Sequence, residues 1–292
     1  MKKEYIFLIL SVFLFSSINP VGKLLLNEIS PLQFSLIRSG FGFVIVSIGF
    51  LLSGEWRTIK KMDKKSFFLC IIFGTIAFFI FQILFASALI NNLASINSIL
   101  VNSIIPISVF VLTAIISHKK ITIKSILGII LGIFGITLVV FKPESLSFVN
   151  SVGVIFAVLS GICWGISTFG MAEIRKKYGT FSITMISILT GAFISFLFVL
   201  FSNGFNEFIN SSMNTKLLSL YAGFFATGLP VLLYYYCLKQ LGAAKVSVSY
   251  YLGPIFGVIL SAIILKEPIP PLLIVGTSFV LLGIWLVQKE KF

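Results

Sequence analysis

Charge is scarce in this chain, and acid is scarcest. Nine Asp and Glu stand against 22 Lys and Arg in 292 residues, and charged residues make up 11% of the total. A soluble domain carries roughly 25%. Histidine occurs once (His118, in a lysine turn) and aspartate once (Asp63, between lysines). An enzyme embedded in a membrane needs a cluster of His, Asp, Glu or Cys near one face, and none is found, so an enzymatic reading is set aside. Cys70, Cys163 and Cys237 all lie inside apolar runs without ligand spacing, and read as small buried hydrophobes. Nothing calls for a metal or a cofactor. Gly22-Lys23 lacks the glycine that would open a phosphate-binding loop, which argues against ATP drive. The acids Glu4, Glu28, Glu55, Asp63, Glu144, Glu173, Glu207, Glu267 and Glu290 sit at the ends of apolar runs or between them. No carboxylate is therefore placed mid-membrane to relay protons.

Apolar residues are what the chain has instead, at 58% with a mean hydropathy of +1.11. The apolar runs are about 20 residues long, the length a helix needs to cross a bilayer and twice what a barrel strand needs. The fold class is therefore all-α integral membrane. Ten spans are predicted at about 5–26, 32–53, 66–89, 92–117, 122–141, 150–172, 181–202, 217–238, 243–265 and 270–288. The first follows Lys2-Lys3 like a signal peptide but lacks a small-x-small cleavage site, so it reads as an uncleaved span. Connections are short; the longest, 202–215, is polar.

The stretch 91–140 returns 148 residues later in one gapless register. Pro106 matches Pro254, Ala114-Ile115-Ile116 matches Ala262-Ile263-Ile264, Gly128 matches Gly276, and Gly135-Ile136 matches Gly283-Ile284. This predicts a duplication into 1–143 and 144–292, five spans each. An odd number of spans per copy makes the two copies cross in opposite senses, so two inverted five-helix repeats are expected. That is a transporter architecture, with its site at the repeat interface. Seventeen of the 22 cations fall on the side of the N-terminus, among them Lys2, Lys3, Arg57, Lys60, Lys61, Lys119, Lys120, Arg175, Lys176 and Lys177. Short basic loops stay cytoplasmic, which predicts both termini inside. The basic excess is thereby accounted for without a nucleic-acid partner.

These residues resemble the EamA family of the drug/metabolite transporter superfamily over essentially the whole chain. The resemblance is carried by the ten short spans, the duplicated halves and a recurring segment: Pro254, the charged turn Lys266-Glu267, Gly276 and Gly283. Trp164-Gly165 fits the family's frequent Trp-Gly. The first half departs from it, with Phe15-Ser16 at that position and His118-Lys119 in the charged turn. The resemblance implies a central cavity lined by spans 1–4 and 6–9, with spans 5 and 10 peripheral.

Polar residues inside spans are the candidates for that cavity. Asn91, Ser95, Ser98 and Asn102 fall on one helical stripe. Pro106 frees the carbonyl of Asn102, and Pro254 frees that of Tyr250, its repeat partner. Substrate lining and helix–helix hydrogen bonding both account for this pattern. Arg38 is the one clear cation within a span, roughly 10 Å along the helix from Pro31. It can bind a substrate carboxylate through its planar fork or snorkel to the surface. Asn19, Pro20, Gln82, Trp164, Ser167, Thr168, Pro230, Tyr234, Ser247 and Tyr251 complete the candidate set, with Pro20, Pro106, Pro230 and Pro254 as kinks. Arg38 for a carboxylate and aromatic faces for an ammonium suggest an amino acid or related zwitterion. The expectation is a secondary transporter exporting a small polar metabolite across a bacterial inner membrane. Uptake of a nucleoside or vitamin, a channel, and a partner subunit are the alternatives. Gly128-x-x-x-Gly132 in span 5 permits close helix contact, either within one chain or in a homodimer through spans 5 and 10.

Overall fold

A computed structural model of the chain describes residues 3–116, 122–142, 147–148, 150–202, 205–241, 246 and 249–288. Eight helical segments are long and apolar enough to cross a membrane: Lys3–Leu25, Pro31–Ser53, Lys64–Asn91, Ala94–Ile116, Ile123–Val140, Ser151–Tyr178, Thr180–Phe201 and Met213–Leu238. They are spans 1 to 8. Two shorter apolar helices, Ser249–Leu265 and Pro271–Gln288, stand where spans 9 and 10 were expected. Short helices Trp56–Ile59 and Phe205–Asn210 lie in the connections after spans 2 and 7. Phe141-Lys142 and Ser147-Phe148 form a two-residue antiparallel pair between spans 5 and 6. The chain is thus a multi-pass, all-α membrane protein. Large side chains such as Leu52, Ile123 and Phe201 are exposed on its surface, as lipid contact requires.

The predicted polar stripe of span 4 loses its first member. Asn91 does not belong to span 4; it is the last residue of span 3, and the extended Asn92 separates the two helices. Its amide donates to the Ser87 carbonyl at 2.8 Å. This local bonding is how Asn competes with helix continuation. The predicted four-residue stripe therefore begins at Ser95.

Spans 3 and 8 each contain a wide π-helical turn, Ile76–Ile80 and Tyr221–Gly228. Such turns concentrate at functional sites. In span 8 the turn ends just before Pro230, whose missing N–H leaves a carbonyl of the preceding turn unclaimed. In span 3 the Phe78 carbonyl accepts from the hydroxyls of Ser35 (3.3 Å) and Ser39 (3.0 Å) on span 2.

Span 1 packs against spans 8 and 9, and span 6 packs against spans 3 and 4. Span 2 packs on span 7, and span 5 on span 10. Glycine sets the last contact. A Cβ at Gly135 would lie 2.6 Å from the Gly276 carbonyl oxygen, and one at Gly128 would lie 2.8 Å from that of Gly283. Gly132 faces Ile107 of span 4. The span 5 glycines thus serve close packing within one chain.

Candidate functional site

The structure brings Arg38, Gln82 and Trp164 into one neighbourhood between the two π-helical turns. Ser30-Pro31 starts span 2, with proline in the first turn where its missing donor costs nothing. Arg38 is only 5% exposed, so it does not snorkel. Its Nε donates to Thr227 Oγ1 at 3.1 Å, and Nη1 donates to Gln82 Oε1. Thr227 lies inside the span 8 π-helical turn and donates in turn to the Ala222 carbonyl at 2.8 Å. Gln82 follows the span 3 turn by two residues. The guanidinium stands 5.3 Å from the Phe34 ring and 5.5 Å from that of Phe85, which stack on each other. Trp164 joins from span 6, with its ring 4.8 Å from Phe81 and 5.9 Å from Phe78.

Two features of this cluster matter chemically. Among the described residues, no carboxylate pairs with Arg38, and Nη2 makes no hydrogen bond there. A buried cation held by neutral partners has unmet demand for an anion. Thr227 was not among the predicted residues. Its sequence signal was only a short small-residue run, Ala226-Thr227-Gly228, ahead of Pro230.

A second group lies where spans 1, 4 and 9 meet. Asn19 Nδ2 donates to the Ser16 carbonyl at 3.1 Å, and Asn97 Nδ2 donates to Asn19 Oδ1 at 3.2 Å. Ser16 Oγ donates to the Gly253 carbonyl at 3.1 Å, and Ser98 Oγ approaches the same oxygen at 3.5 Å. Asn102 Nδ2 donates back to the Ser98 carbonyl at 2.8 Å and lies beside Gly253. Pro20, Pro106 and Pro254 are all buried within their helices. Asn97 and Ser16 were missed by the sequence reading, since each falls outside the predicted stripe.

The remaining candidates are dispersed. Asn91 Oδ1 accepts from Asn150 at the face opposite the N-terminus. Ser95 is at the same face, where its N–H and hydroxyl donate to Glu267 Oε2 at 2.9 and 2.6 Å. The Ala94 N–H donates to Glu267 Oε1 at 2.7 Å. Glu267 thus caps the start of span 4 from across the molecule. Lys23 Nζ donates nearby to the carbonyls of Asn92 (2.8 Å) and Ile90 (3.1 Å). Ser167 donates to the Cys163 carbonyl of its own helix at 2.9 Å. Thr168 and Tyr251 are half-buried, and Tyr251 packs against the apolar core. Tyr234 stacks edge-on with Tyr235 toward the N-terminal face. Tyr250 lies in span 9; Ser247 falls outside the described residues. A cavity of about 380 Å³ between spans 2 and 7 is walled by Gln33, Leu36, Phe41, Val44, Phe205 and Phe208, and by none of the predicted site residues.

The chain is similar to known proteins along its length. The model of the EamA-like transporter family matches residues 2–141 and again 151–288. An uncharacterized transporter of Archaeoglobus fulgidus is 26% identical over 289 residues, covering 99% of this chain and all of the relative. An uncharacterized transporter of Clostridium kluyveri is 25% identical over 294 residues, covering 97% and 92%. The uncharacterized transporter YyaM of Bacillus subtilis is 26% identical over 280 residues, covering 94% and 89%. A protein of known crystal structure shares the fold at a TM-score of 0.66 and 12% identity, covering 96% of this chain and 94% of its own.

Proposed function

The chain belongs to the EamA-like transporter family, and on that premise we propose that it is a secondary carrier exporting a small polar metabolite, an amino acid or related zwitterion or amine, across a bacterial inner membrane. Its termini are cytoplasmic by the distribution of lysine and arginine. Its halves, 1–143 and 144–292, act as inverted repeats. Exchanging spans 1–5 with 6–10 turns the pairing of span 1 with 9 into that of 6 with 4, and 1 with 8 into 6 with 3. The 2–7 and 5–10 pairs map onto themselves. Such a pairing pattern supports alternating access, because two similar halves can trade conformations.

The observation that carries the substrate class is Arg38. The substrate carboxylate takes the free edge of the guanidinium, where a charge-assisted bond replaces neutral ones. The rings of Phe85, Phe81 and Trp164 beside it offer faces to an ammonium group. Solute counterflow in proteoliposomes, without ATP, over amino acids, amines and nucleosides tests this reading. Arg38→Ala should abolish saturable exchange of the carboxylate-bearing solute. Arg38→Lys keeps the charge but loses the fork, and should lower exchange by at least about tenfold. Unchanged counterflow in Arg38→Ala would remove the substrate assignment. A non-saturable leak in place of counterflow would make the protein a channel.

A further inference from the structure

We propose that spans 1, 4 and 9 form a sodium site on neutral oxygens, and that sodium is the coupling ion; the coupling rests on the carrier reading, whereas the site does not. The set contains the Ser16 carbonyl, Asn19 Oδ1, Asn97 Oδ1, Ser98 Oγ and the Gly253 carbonyl. Each has a physical reason to be free or redirectable. Pro20 has no N–H, so the Ser16 carbonyl four residues back has no helical donor and is met only by the Asn19 amide. The Gly253 carbonyl collects two hydroxyls, Ser16 Oγ at 3.1 Å and Ser98 Oγ at 3.5 Å. Asn97 is fully buried, and its Oδ1 has no hydrogen-bond partner among the described residues. A buried, unpaired amide oxygen is costly and calls for an explanation.

A glycine lets this set come together. A Cβ on Gly257 would lie 1.8 Å from Ser98 Oγ and 3.8 Å from Asn19 Nδ2. The missing side chain of Gly257 therefore lets the span 1 and span 4 polar groups approach span 9. As placed, Asn97 Oδ1 is the unpartnered atom, and Asn19 Oδ1 accepts only from Asn97 Nδ2, which leaves it a second lone pair for an ion. Ser16, Asn19, Asn97 and Ser98 are each at most 4% exposed.

The chemistry selects the ion. Divalent cations take carboxylates, and no carboxylate belongs to this set; hard cations prefer oxygen throughout. Sodium is close to calcium in radius, for which oxygens sit at about 2.3–2.6 Å. Neighbouring oxygens of such a shell are ~3.2–3.7 Å apart, the range in which Ser98 Oγ and the Gly253 carbonyl already lie. A freed carbonyl at a broken or kinked span is also a known way to hold a coupling ion in a bilayer. An ion there would tie span 1, span 4 and span 9 together, so its arrival and departure would be felt by both halves.

The test uses the full-length purified chain. Thermal unfolding is followed as NaCl replaces KCl or choline chloride at constant ionic strength. Sodium should raise Tm saturably, and potassium and choline should not. Asn97→Ala should weaken the apparent sodium affinity by at least about tenfold, and Asn97→Asp, which restores an oxygen, should retain sodium stabilisation. Lys65→Ala, exposed on the N-terminal face away from this set, should leave the sodium response as in the parent. Equal effects of all three cations, or no effect on folded protein, would overturn the site, as would an unchanged sodium response in folded Asn97→Ala. Sodium-dependent counterflow is measured in parallel. Sodium stabilisation without any counterflow would sink the carrier reading alone; sodium-independent counterflow with stabilisation intact would sink the coupling alone.

Discussion

At the scale of single residues, Arg38 shows how far residue type leads and where it stops. A lone arginine inside an apolar run is visible in any listing of the sequence, and so is the demand that it be wet, paired or functional. Its partners are not visible. Gln82 is 44 residues away and Thr227 is 189 away, and nothing local to either points to span 2. Asn97 escaped for a related reason: it neighbours Ser98 in sequence but faces Asn19 rather than the polar stripe. Thr227→Val tests the observed arrangement, because valine keeps the shape and removes the acceptor. The Arg38 Nε is then buried unpaired, at a cost of about 1–3 kcal/mol. A lowered Tm in detergent, with a raised half-saturating solute concentration in counterflow, is the expected outcome. Gly257→Ala is expected to be worse, since its Cβ would overlap Ser98 Oγ. Overpacking of this kind costs typically 1–3 kcal/mol, and the sodium response should fall with it.

Helices raise a different issue, which is where their first N–H groups go. Those donors have no intrahelical partner and attract negative charge. Four of the scarce acids answer this across the molecule. Glu267 meets the start of span 4, Glu55 the Ser182 N–H at the start of span 7, Glu28 the Ser212 N–H ahead of span 8, and Glu207 the Ser30 N–H ahead of span 2. Asp63 caps its own helix through the Ser66 N–H and also accepts from the Tyr178 hydroxyl. The sequence placed these acids at span ends, but read them only as the absence of a proton relay. The π-helical turns were equally illegible, because a widened turn leaves no signature in hydropathy; Pro230 was the one local hint. The span count was legible, since length and apolarity alone decide it. A pH prediction follows for the two acids outside the bilayer whose carboxyls are held low. The Ser212 N–H and hydroxyl hold Glu28 below its ordinary 4.5, and the Tyr178 hydroxyl and the Ser66 N–H hold Asp63 below its ordinary 3.8. Folded values below unfolded ones mean stabilisation that is complete above about pH 5 and is lost as pH falls through the folded values. Tm should therefore decline on acidification below pH 4.5, and Glu28→Gln should flatten part of that decline.

For the molecule as a whole, these caps become a statement about motion. Each of the four long-range caps joins one half of the chain to the other. Glu28, Glu207 and Glu267 act on the face opposite the N-terminus, and Glu55 acts on the N-terminal face. Glu55 after span 2 reaches span 7, while Glu207 after span 7 reaches span 2, as the proposed inverted repeat would have it. Both faces are therefore tied in this conformation. A carrier that alternates must release the caps of one face while keeping those of the other, so locking one set should stop turnover without unfolding the protein. Glu28→Cys with Ser212→Cys, joined by a short bis-methanethiosulfonate reagent that replaces the reach of the glutamate side chain where Glu28 and Ser212 bond at 2.7 and 2.9 Å, offers the lock. The parent cysteines Cys70 and Cys237 are buried and Cys163 is half-buried in span 6, so they stay out of the exchange. Cross-linking the double variant should abolish counterflow, reduction should restore it, and either single variant should be indifferent to both. Counterflow that persists with the cross-link formed would mean that this face stays shut throughout the cycle, and the alternating-access proposal would fall with it.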